Sequence, residues 1–513
     1  LYGGLGDDIV IGGSNISGAL DGDDRLDGGA GNDVIVGDNA EICYRPDDLD
    51  PRMRALTDTQ LYGTTPGIDD GEALVTALVN QKPAFVDPRN HSQYRITILD
   101  HSDEVEANRS DLFGNDYLAG GPDEDEIFGQ LGDDVIQGDG KIGTDPRADL
   151  SKVVDEGPPT QFDAYRDGSS NSVTSLVISP SFEAATDGDD YIEGNGGDDV
   201  IFGNLGQDDI IGGSSDLYSL ESATDRPDGD DLIFGGAGTD IARNDVGDAT
   251  VGTDGGISID PSGHALDADV LLGDNGRILR IVGIHDQQIA ADETSAAVGI
   301  PASGGFLNYH YDTDPIDANP TTYDRVIVRA VETLDYTPGG IHYDPDAADD
   351  RGGDDELHGE SGDDSAHGQL GDDVIFGDGQ NDDLIGGYGN DWISGGTGDD
   401  GVLGDDGRIM TSRNSTVGEP LHGIVGLLAN DPDSRGNNGT VLNEFIKTPG
   451  SIQQATINVS GELKKSVNLT PFSIDPSWNG QNDEFVSTGS KNNSPLLFTD
   501  EGHYSDDIIF GGL

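Results

Sequence analysis

Aspartate recurs at a fixed interval in the stretch from 350 to 408. The copies stand nine residues apart, at Asp355, Asp364, Asp373, Asp382, Asp391 and Asp400. An apolar residue follows each of them two places later, and glycines are frequent in the positions before them. Carboxylate oxygens are ligands that hard divalent cations such as Ca²⁺ prefer. A regular row of carboxylates therefore predicts a row of cation sites.

The same nine-residue unit, G-G-x-G-x-D-x-U-x with U apolar, recurs in shorter runs. Together with the six above, its "marker aspartates" are Asp8, Asp24, Asp33, Asp116, Asp125, Asp134, Asp190, Asp199, Asp208, Asp231, Asp240, Asp269 and Asp507. We predict that all of these carboxylates are calcium ligands, with the best sites in 350–408 and then in 186–213. The copies around Asp8, Asp240 and Asp269 are interrupted, so we expect incomplete cages there.

The nine-residue unit has a simple physical interpretation. Each unit supplies a short strand and a glycine turn, because glycine adopts positive φ without steric cost. Two units make one coil of eighteen residues, so stacked coils form parallel strands with the U side chains inside. The marker aspartates then form two columns, one at each edge, with about 4.8 Å between successive strands. A cation between successive carboxylates removes their repulsion, and Ca²⁺ suits a cage rich in backbone carbonyls better than Mg²⁺ does.

Several units resemble the RTX family of calcium-binding nonapeptide repeats. They include GGLGDDIVI at 3–11, GGAGNDVIV at 28–36, GGYGNDWIS at 386–394 and GGTGDDGVL at 395–403. The resemblance implies an all-β fold: a calcium-stapled parallel β-roll that folds only with several bound calcium ions. It also implies that the turn aspartates and nearby carbonyls hold the calcium, and that the protein is secreted from bacteria. Asp378 and Gln380, which replace turn glycines, depart from the pattern.

The composition agrees with a protein that binds many cations. The chain has 513 residues, a formal net charge of −74 and only 33% hydrophobic residues. Such values are typical of disorder unless bound cations supply charge and structure. The alternative is a flexible acidic linker, but a linker would not keep a strict nine-residue repeat. Nucleic acid and anionic membranes would repel this chain. Cys43 is the only cysteine, which excludes an intrachain disulfide, and no apolar run is long enough for a transmembrane helix.

The repeats are grouped in blocks that insertions separate. We predict repeat blocks at 1–42, 111–142, 186–278 with a short break at 214–227, 349–409, and the start of another at 505–513. Insertions of more ordinary composition are predicted at 43–110, 143–185, 279–348 and 410–504. Each of these four insertions follows a related phrase: GDNAEI at 37–42, GDGKI at 138–142, GDNGRI at 273–278 or GDDGRI at 404–409. The sequence begins and stops inside a unit, which indicates a piece of a longer or processed polypeptide.

The insertions carry their own secondary-structure signals. Alternating apolar residues predict strands at 93–99, 277–284 and 324–331. The stretch 455–469 is predicted to be a hairpin that turns at 460–462. Residues 70–80 are predicted to form a short helix capped by Asp70.

The sequence contains few signals for a second activity. The H-E-x-x-H, G-x-S-x-G and P-loop motifs do not occur in the sequence. His358 and His367 stand nine residues apart, so the roll should place them on opposite edges. Tyr309, His310, Tyr311 and His342 could form a zinc site, although surface or packing roles are favoured. Cys43 is expected to be buried.

The sequence therefore predicts a secreted, calcium-binding structural protein without enzymatic activity, part of an extracellular surface layer, adhesin or filament. Calcium is the expected partner, together with end-to-end self-assembly or continuation in a longer chain. The localisation should be extracellular or at the cell surface, with export by a bacterial type I pathway. No nucleic acid partner and no membrane insertion are expected. The alternative is a secretion and folding module of a larger exported enzyme or toxin, whose catalytic part lies outside this segment.

Overall fold

The computed structural model describes most of the repeat blocks and parts of the insertions. The described residues are 1–44, 50–56, 94–142, 163–166, 176–179, 186–238, 249–251, 257–259, 267–283, 308–310, 325–327, 329–336, 350–405, 407–412, 421–422, 442–445, 454–457, 464–468 and 507–511.

Two long parallel sheets form the body of the structure. Sheet A has ten strands, in spatial order β1 (Tyr2–Leu5), β3 (Arg25–Ala30), β8 (Tyr117–Ala119), β10 (Val135–Gln137), β14 (Val200–Phe202), β16 (Leu232–Phe234), β24 (Glu356–His358), β26 (Val374–Phe376), β28 (Trp392–Ser394) and β35 (Ile508–Phe510). Sheet B has nine, in the order β2 (Ile9–Ile11), β4 (Val34–Val36), β9 (Glu126–Leu131), β13 (Tyr191–Gly196), β15 (Asp209–Ile211), β19 (Val270–Leu272), β25 (Ser365–Leu370), β27 (Asp383–Tyr388) and β29 (Gly401–Leu403). Along the chain these strands alternate between the two sheets, so the chain winds as a parallel β-roll.

The remaining described strands lie mainly in the insertions. They are β5 (Ala40–Tyr44), β6 (Met53–Leu56), β7 (Tyr94–Ile98), β11 (Asp163–Arg166), β12 (Leu176–Ser179), β17 (Ala249–Val251), β18 (Ile257–Ile259), β20 (Gly276–Gly283), β21 (Asn308–His310), β22 (Arg325–Ile327), β23 (Arg329–Thr333), β30 (Arg408–Ser412), β31 (Leu421–His422), β32 (Leu442–Phe445), β33 (Gln454–Ile457) and β34 (Lys464–Asn468). The described helices are α1 (Asp103–Asn108) and a 3-10 helix, Ala223–Asp225. None of the helices in these ranges is long and apolar enough to cross a membrane.

The eighteen-residue coil is visible wherever the repeat is unbroken. Leu357, Ile375 and Ile393 are register partners on neighbouring strands of sheet A. The register continues across the insertions as well, since Val36 of β4 partners Phe128 of β9 on the far side of the first insertion. The insertions therefore leave the roll without shifting its register.

The apolar U side chains fill the interior between the sheets. Leu118, Ile201 and Ile375 are fully buried there, and even the small Ala366 occupies an interior position. Burying one large aliphatic side chain contributes about 1.5–3 kcal/mol. One such residue per nine gives a thin core, which explains why apolar content alone is a weak support for this fold.

A second apolar core covers the outer face of sheet B. Phe128 and Tyr218 meet edge to face with 4.7 Å between ring centroids, and Tyr191 lies 6.0 Å from Tyr218. Insertion residues such as Ile96 and Val331 pack on the same core. The insertions therefore add apolar burial that the repeats lack.

Separate insertions share sheets. In the third insertion β20 pairs antiparallel with β23, and its other edge pairs parallel with β6 of the first insertion, where Arg280 partners Met53. In a second small sheet, β21 of the third insertion pairs with β31 of the fourth, where Tyr309 partners Leu421. Parts of insertions that are distant in sequence are thus joined by backbone hydrogen bonds.

The strands predicted at 93–99, 277–284 and 324–331 are confirmed as β7, β20 and the pair β22 and β23. The hairpin predicted at 455–469 is wrong. Its two strands exist as β33 and β34, but each pairs with β30, which lies between them. β30 is held by the roll, because Ile409 packs into the apolar core under the insertions, and it therefore offers both strands a fixed partner. The helix predicted at 70–80 lies outside the described residues.

Candidate metal centre

The marker aspartates form two columns, one at each edge of the roll. In each column the backbone N–H of one marker aspartate donates to Oδ1 of the next, at distances from 2.6 to 3.2 Å. The first column is Asp8, Asp33, Asp125, Asp190, Asp208, Asp269, Asp364, Asp382 and Asp400. The second is Asp24, Asp116, Asp134, Asp199, Asp231, Asp355, Asp373, Asp391 and Asp507. Asp240 lies outside the described residues, and the first column passes directly from Asp208 to Asp269.

The second oxygen of these carboxylates has a different environment. Oδ2 is buried and has no hydrogen-bond partner in Asp8, Asp33, Asp116, Asp125, Asp134, Asp190, Asp208, Asp231, Asp269, Asp355, Asp364, Asp373 and Asp391. A buried polar atom without a partner costs about 1–3 kcal/mol, and more when it is charged. Repeated along a column, this cost indicates that something positive belongs beside Oδ2.

A turn glycine and a turn carbonyl lie beside Oδ2. A Cβ built at Gly368 would come 2.1 Å from Oδ2 of Asp373 and 2.7 Å from the carbonyl oxygen of Gly386. The same space exists at Gly138, where a Cβ would come 2.2 Å from Oδ2 of Asp190. Only glycine leaves this space open, and the atoms around it are carboxylate and carbonyl oxygens. These are the ligands of a hard cation, whereas zinc prefers nitrogen and sulfur.

Burial raises the pKa of buried marker carboxyls such as those of Asp33, Asp116, Asp269 and Asp391, and neighbouring aspartates raise it further. The pKa is raised to about 6 for Asp33, to about 7 for Asp391, and to about 8 for Asp116 and Asp269, with burial the largest cause in each. In the fully buried Asp373, burial and then Asp355 and Asp391 hold the pKa well above its usual range. At neutral pH these carboxyls are therefore stabilised either by protons or by a cation.

Side chains alone do not complete a cage. Within the described ranges, no group of three or more His, Cys, Asp or Glu side chains is arranged to hold a metal ion. A site beside a marker aspartate would take much of its coordination from backbone carbonyls such as that of Gly386. The residues present fit Ca²⁺, because calcium accepts backbone carbonyls in a flexible shell.

The interrupted copy at Asp269 has the same geometry as the regular ones. A Cβ at Gly235 would lie 2.2 Å from Oδ2 of Asp269 and 2.8 Å from the carbonyl oxygen of Gly359. The glycine and the carboxylate at Asp269 therefore face each other as in the regular copies, and the incomplete cage expected there stays a prediction. The copy at Asp8 is more open, with 3.0 Å between Oδ2 and a Cβ at Gly3.

A further pair of acidic ladders was not predicted from the sequence. In many coils the residue before the marker aspartate accepts, through its side chain, a hydrogen bond from the backbone of the next coil. Asp354 accepts from Asp372 N and Asp372 accepts from Asn390 N, both at 2.8 Å. These side chains are exposed. The signal for them was the Asp-Asp or Asn-Asp doublet that many units contain.

A buried arginine cluster on the outer face of sheet B was also not predicted from the sequence. Asp209 accepts from Nε of Arg280 at 2.5 Å and from Nε of Arg329 at 2.8 Å, and Nη1 of Arg52 lies 3.7 Å from Oδ2 of Asp209. All four residues are at most 2% exposed. Burial raises the pKa of Asp209, but Arg280 and Arg329 outweigh it and lower the pKa overall. The arginines come from the first and third insertions, so the cluster joins both to the roll.

The other candidate residues have ordinary surroundings. His358 lies in sheet A and His367 in sheet B, which confirms their predicted separation. His358 stacks between Phe234 and Phe376, at centroid distances of 4.7 and 4.5 Å.

Cys43 is exposed, so its predicted burial is wrong. Side chains alternate along β5, and in this strand the neighbouring Ile42 packs on the core instead.

The zinc site considered near His310 stays a prediction. Tyr311 and His342 lie outside the described residues, and β21 is described there by its backbone only.

Comparison with known proteins agrees with this geometry. The family model described as RTX calcium-binding nonapeptide repeat matches 1–16, 19–40, 112–140, 185–216, 228–251, 350–384 and 376–408. These segments contain all described marker aspartates of the two columns except Asp269 and Asp507. No curated protein matches the chain. The repeat segments of this chain belong to the RTX family of calcium-binding nonapeptide repeats.

Proposed function

We propose that this chain is a secreted structural protein that calcium folds and stiffens, and that it forms part of an extracellular surface layer, adhesin or filament. The marker aspartates are the proposed calcium ligands, each through Oδ2, with turn carbonyls completing the cages. The observation that carries the proposal is the continuity of both columns across the insertions. A chain that kept its repeats only as a linker would not rebuild the same carboxylate ladder after each interruption.

The number of proposed sites follows from the columns. Nine described markers in each column give eight steps between successive markers, and one ion at each step gives sixteen ions. Sixteen divalent ions bring 32 positive charges against a formal net charge of −74. The loaded protein stays acidic, but the repulsion is removed inside the columns, where it is strongest.

Calcium binding and folding should be one event. The ligands of each step come from two coils, so the cage does not exist in the unfolded chain, and the binding free energy becomes folding free energy. Such a protein stays unfolded where calcium is scarce and folds where calcium is plentiful. This supports export in the unfolded state, by a bacterial type I pathway, and folding outside the cell.

A structural rather than catalytic role is part of the same proposal. The insertions are joined to each other and to the roll, which suits a stiff decorated rod. The outermost strands of the two sheets, β1, β2, β29 and β35, present edges to which further parallel coils can pair. Those coils would come either from another copy, in end-to-end assembly, or from a longer chain.

Electron microscopy of calcium-loaded and chelated samples tests the proposal, with a magnesium-loaded sample as the control. Filaments or lattices that form in calcium and dissolve on chelation are the expected result. Discrete particles in calcium would overturn the polymer and favour the alternative, a folding module of a larger exported enzyme or toxin. Equilibrium dialysis gives the more basic test, because a chain that binds no calcium cannot have this function.

A further inference from the structure

Three of the long insertions interrupt the roll inside a glycine turn. The two halves of each interrupted turn are 37–39 and 114–116, 138–140 and 188–190, and 273–275 and 353–355. Each pair of halves still forms one site. A Cβ at Gly273, before the third insertion, would come 2.1 Å from Oδ2 of Asp355, after it. The chain is cut at these turns, yet the glycine and the marker carboxylate face each other as in an unbroken turn.

The backbone φ at the second position of the turn differs between interrupted and unbroken turns. In the unbroken ones it has a φ between 64° and 123°, at Gly4, Gly29, Gly121, Gln130, Asn195, Asn204, Glu360, Gln369, Asp378, Gly387 and Gly396. The residues at this position in the interrupted turns of the described chain, Gly13, Asp38, Asp139, Gly213, Gly236, Asp274 and Asp405, are not among those with positive φ. The chain therefore leaves the path of the turn at this residue.

At the three long insertions the residue of departure is an aspartate, here called the exit aspartate. Its carboxylate accepts a hydrogen bond from the backbone N–H of the glycine at which the chain returns. The pairs are Asp38 with Gly114 at 3.0 Å, Asp139 with Gly188 at 3.1 Å, and Asp274 with Gly353 at 2.9 Å. In an unbroken turn these two positions are joined by one intervening residue, such as Tyr388 between Gly387 and Gly389. The exit carboxylate takes the place of that missing covalent link.

Two of the exit aspartates also hold the next coil. The other carboxylate oxygen of Asp274 accepts from Leu370 N at 2.7 Å, and that of Asp38 accepts from Leu131 N at 3.3 Å. Asp38 and Asp274 are 3% and 1% exposed, so these hydrogen bonds are shielded from water. The amide of Gln369 donates to the backbone carbonyl of Asn275, which fastens the start of the third insertion in the same way.

We propose that Asp38, Asp139 and Asp274 are positioning residues that close three calcium cages whose turns are split by insertions. The inference rests on the proposed function, because it assigns a role within the calcium sites. Each exit aspartate fixes the returning glycine, and the marker aspartate stands two residues after that glycine. Without the exit carboxylate the two halves of the cage are no longer held at the spacing that a cation needs.

The chain contains a matched control for this role. Asp378 occupies the same turn position, after a glycine in the phrase GDG, but its turn is unbroken. Its carboxylate lies 3.5 Å from Nδ1 of His358. Asp378→Gly therefore removes a carboxylate from this turn position without opening a cage, because glycine adopts the φ of 64° found there without steric cost.

The test compares Asp274→Ala with Asp378→Gly in the full chain. Calcium bound per chain is counted by equilibrium dialysis with atomic absorption, and affinity is measured by calorimetry. We expect Asp274→Ala to lose one ion, or to bind one ion about 10- to 100-fold more weakly, as is usual when a residue that orients metal ligands is removed. Hydrogen exchange at the amides of Gly353 and Leu370 should speed up. Asp378→Gly should keep the parental number of ions. Both carboxylate oxygens of Asp139 face the N–H of Gly188, so Asp139→Asn keeps an acceptor oxygen there and should protect Gly188 from exchange better than Asp139→Ala does.

Unchanged ion number and affinity in Asp274→Ala would overturn the inference, and so would equal exchange of the Gly188 amide in Asp139→Asn and Asp139→Ala. If Asp274→Ala does not fold, Asp139→Ala provides the same comparison, since Gly188 is its contact across the break. A parent chain that binds no calcium would instead refute the proposed function, so the two failures are distinguishable.

Discussion

Replacing Gly368 by alanine should disable one calcium cage. The new Cβ would lie 2.1 Å from Oδ2 of Asp373, whereas ordinary contacts begin at 3.4 Å, so one of the two atoms must move by the difference, 1.3 Å. The carboxylate is held, because its Oδ1 accepts from Asp355 N at 3.0 Å. Calcium–oxygen distances span only about 2.3–2.6 Å, so a shift of this size takes Oδ2 out of coordination. Losing a direct ligand should weaken the site by at least the 10- to 100-fold, about 1.4–2.8 kcal/mol, that is usual for residues that only orient ligands.

The assay is a calcium titration followed by far-ultraviolet circular dichroism, with ion counting at saturation. Gly22→Ala is the matched control, because it lies in a repeat turn, its φ is not in the left-handed region, and nothing lies within 4 Å of an added Cβ. We expect Gly368→Ala to shift the calcium midpoint upwards and to lose one ion, while Gly22→Ala leaves both unchanged. Equal midpoints and ion numbers in the two variants would refute the assignment of Oδ2 as the calcium ligand.

Two further predictions concern protons and the arginine cluster. Burial raises the pKa of Asp116 and Asp269 to about 8. The folded calcium-free roll therefore binds more protons than the unfolded chain between about pH 4 and 8, and its stability should fall as pH rises through this range. A chelated chain with more β-structure at pH 8 than at pH 4 would contradict this prediction. Asp209→Ala leaves buried guanidinium groups without their shared carboxylate and should lower the free energy of unfolding of the loaded chain by about 3–5 kcal/mol in urea titrations. The exposed pair of Arg109 and Asp111 supplies the control, since Asp111→Ala should leave the urea midpoint unchanged; equal effects of the two substitutions would contradict the role of burial.

The roll could be predicted from the sequence because its determinants are local and periodic. A step of nine fixes the strand, the turn and the edge on which each carboxylate lies. Asp373 and Asp391 needed no long-range information to be placed in one column. The places at which insertions interrupt the roll could also be predicted, because the phrases at 37–42 and 273–278 mark where the chain leaves it. The direction of each carboxylate, with Oδ1 in the ladder and Oδ2 beside the glycine, required the structure.

The contacts between insertions could not be predicted in this way. Arg52 and Arg329 converge on Asp209 only because the roll brings the first and third insertions to one face. No spacing between residues in the sequence predicts that these arginines contact Asp209. The same limit explains the hairpin at 455–469, since the pattern identified its strands but could not show that β30 would lie between them. Periodicity identifies strands, whereas partners depend on which elements the fold has already fixed.

The split turns have a consequence for how much sequence the roll can carry. The three exit contacts close chain segments that span 76, 49 and 79 residues. Loop-closure entropy grows only with the logarithm of length, so the longest of these segments costs about 0.4 kcal/mol more to close than the shortest. Once its two ends are fastened, the size of an insertion hardly affects the stability of the rod. Insertions of other lengths and sequences are therefore compatible with the same two columns of marker aspartates. Foreign domains could be inserted at the same three interrupted turns.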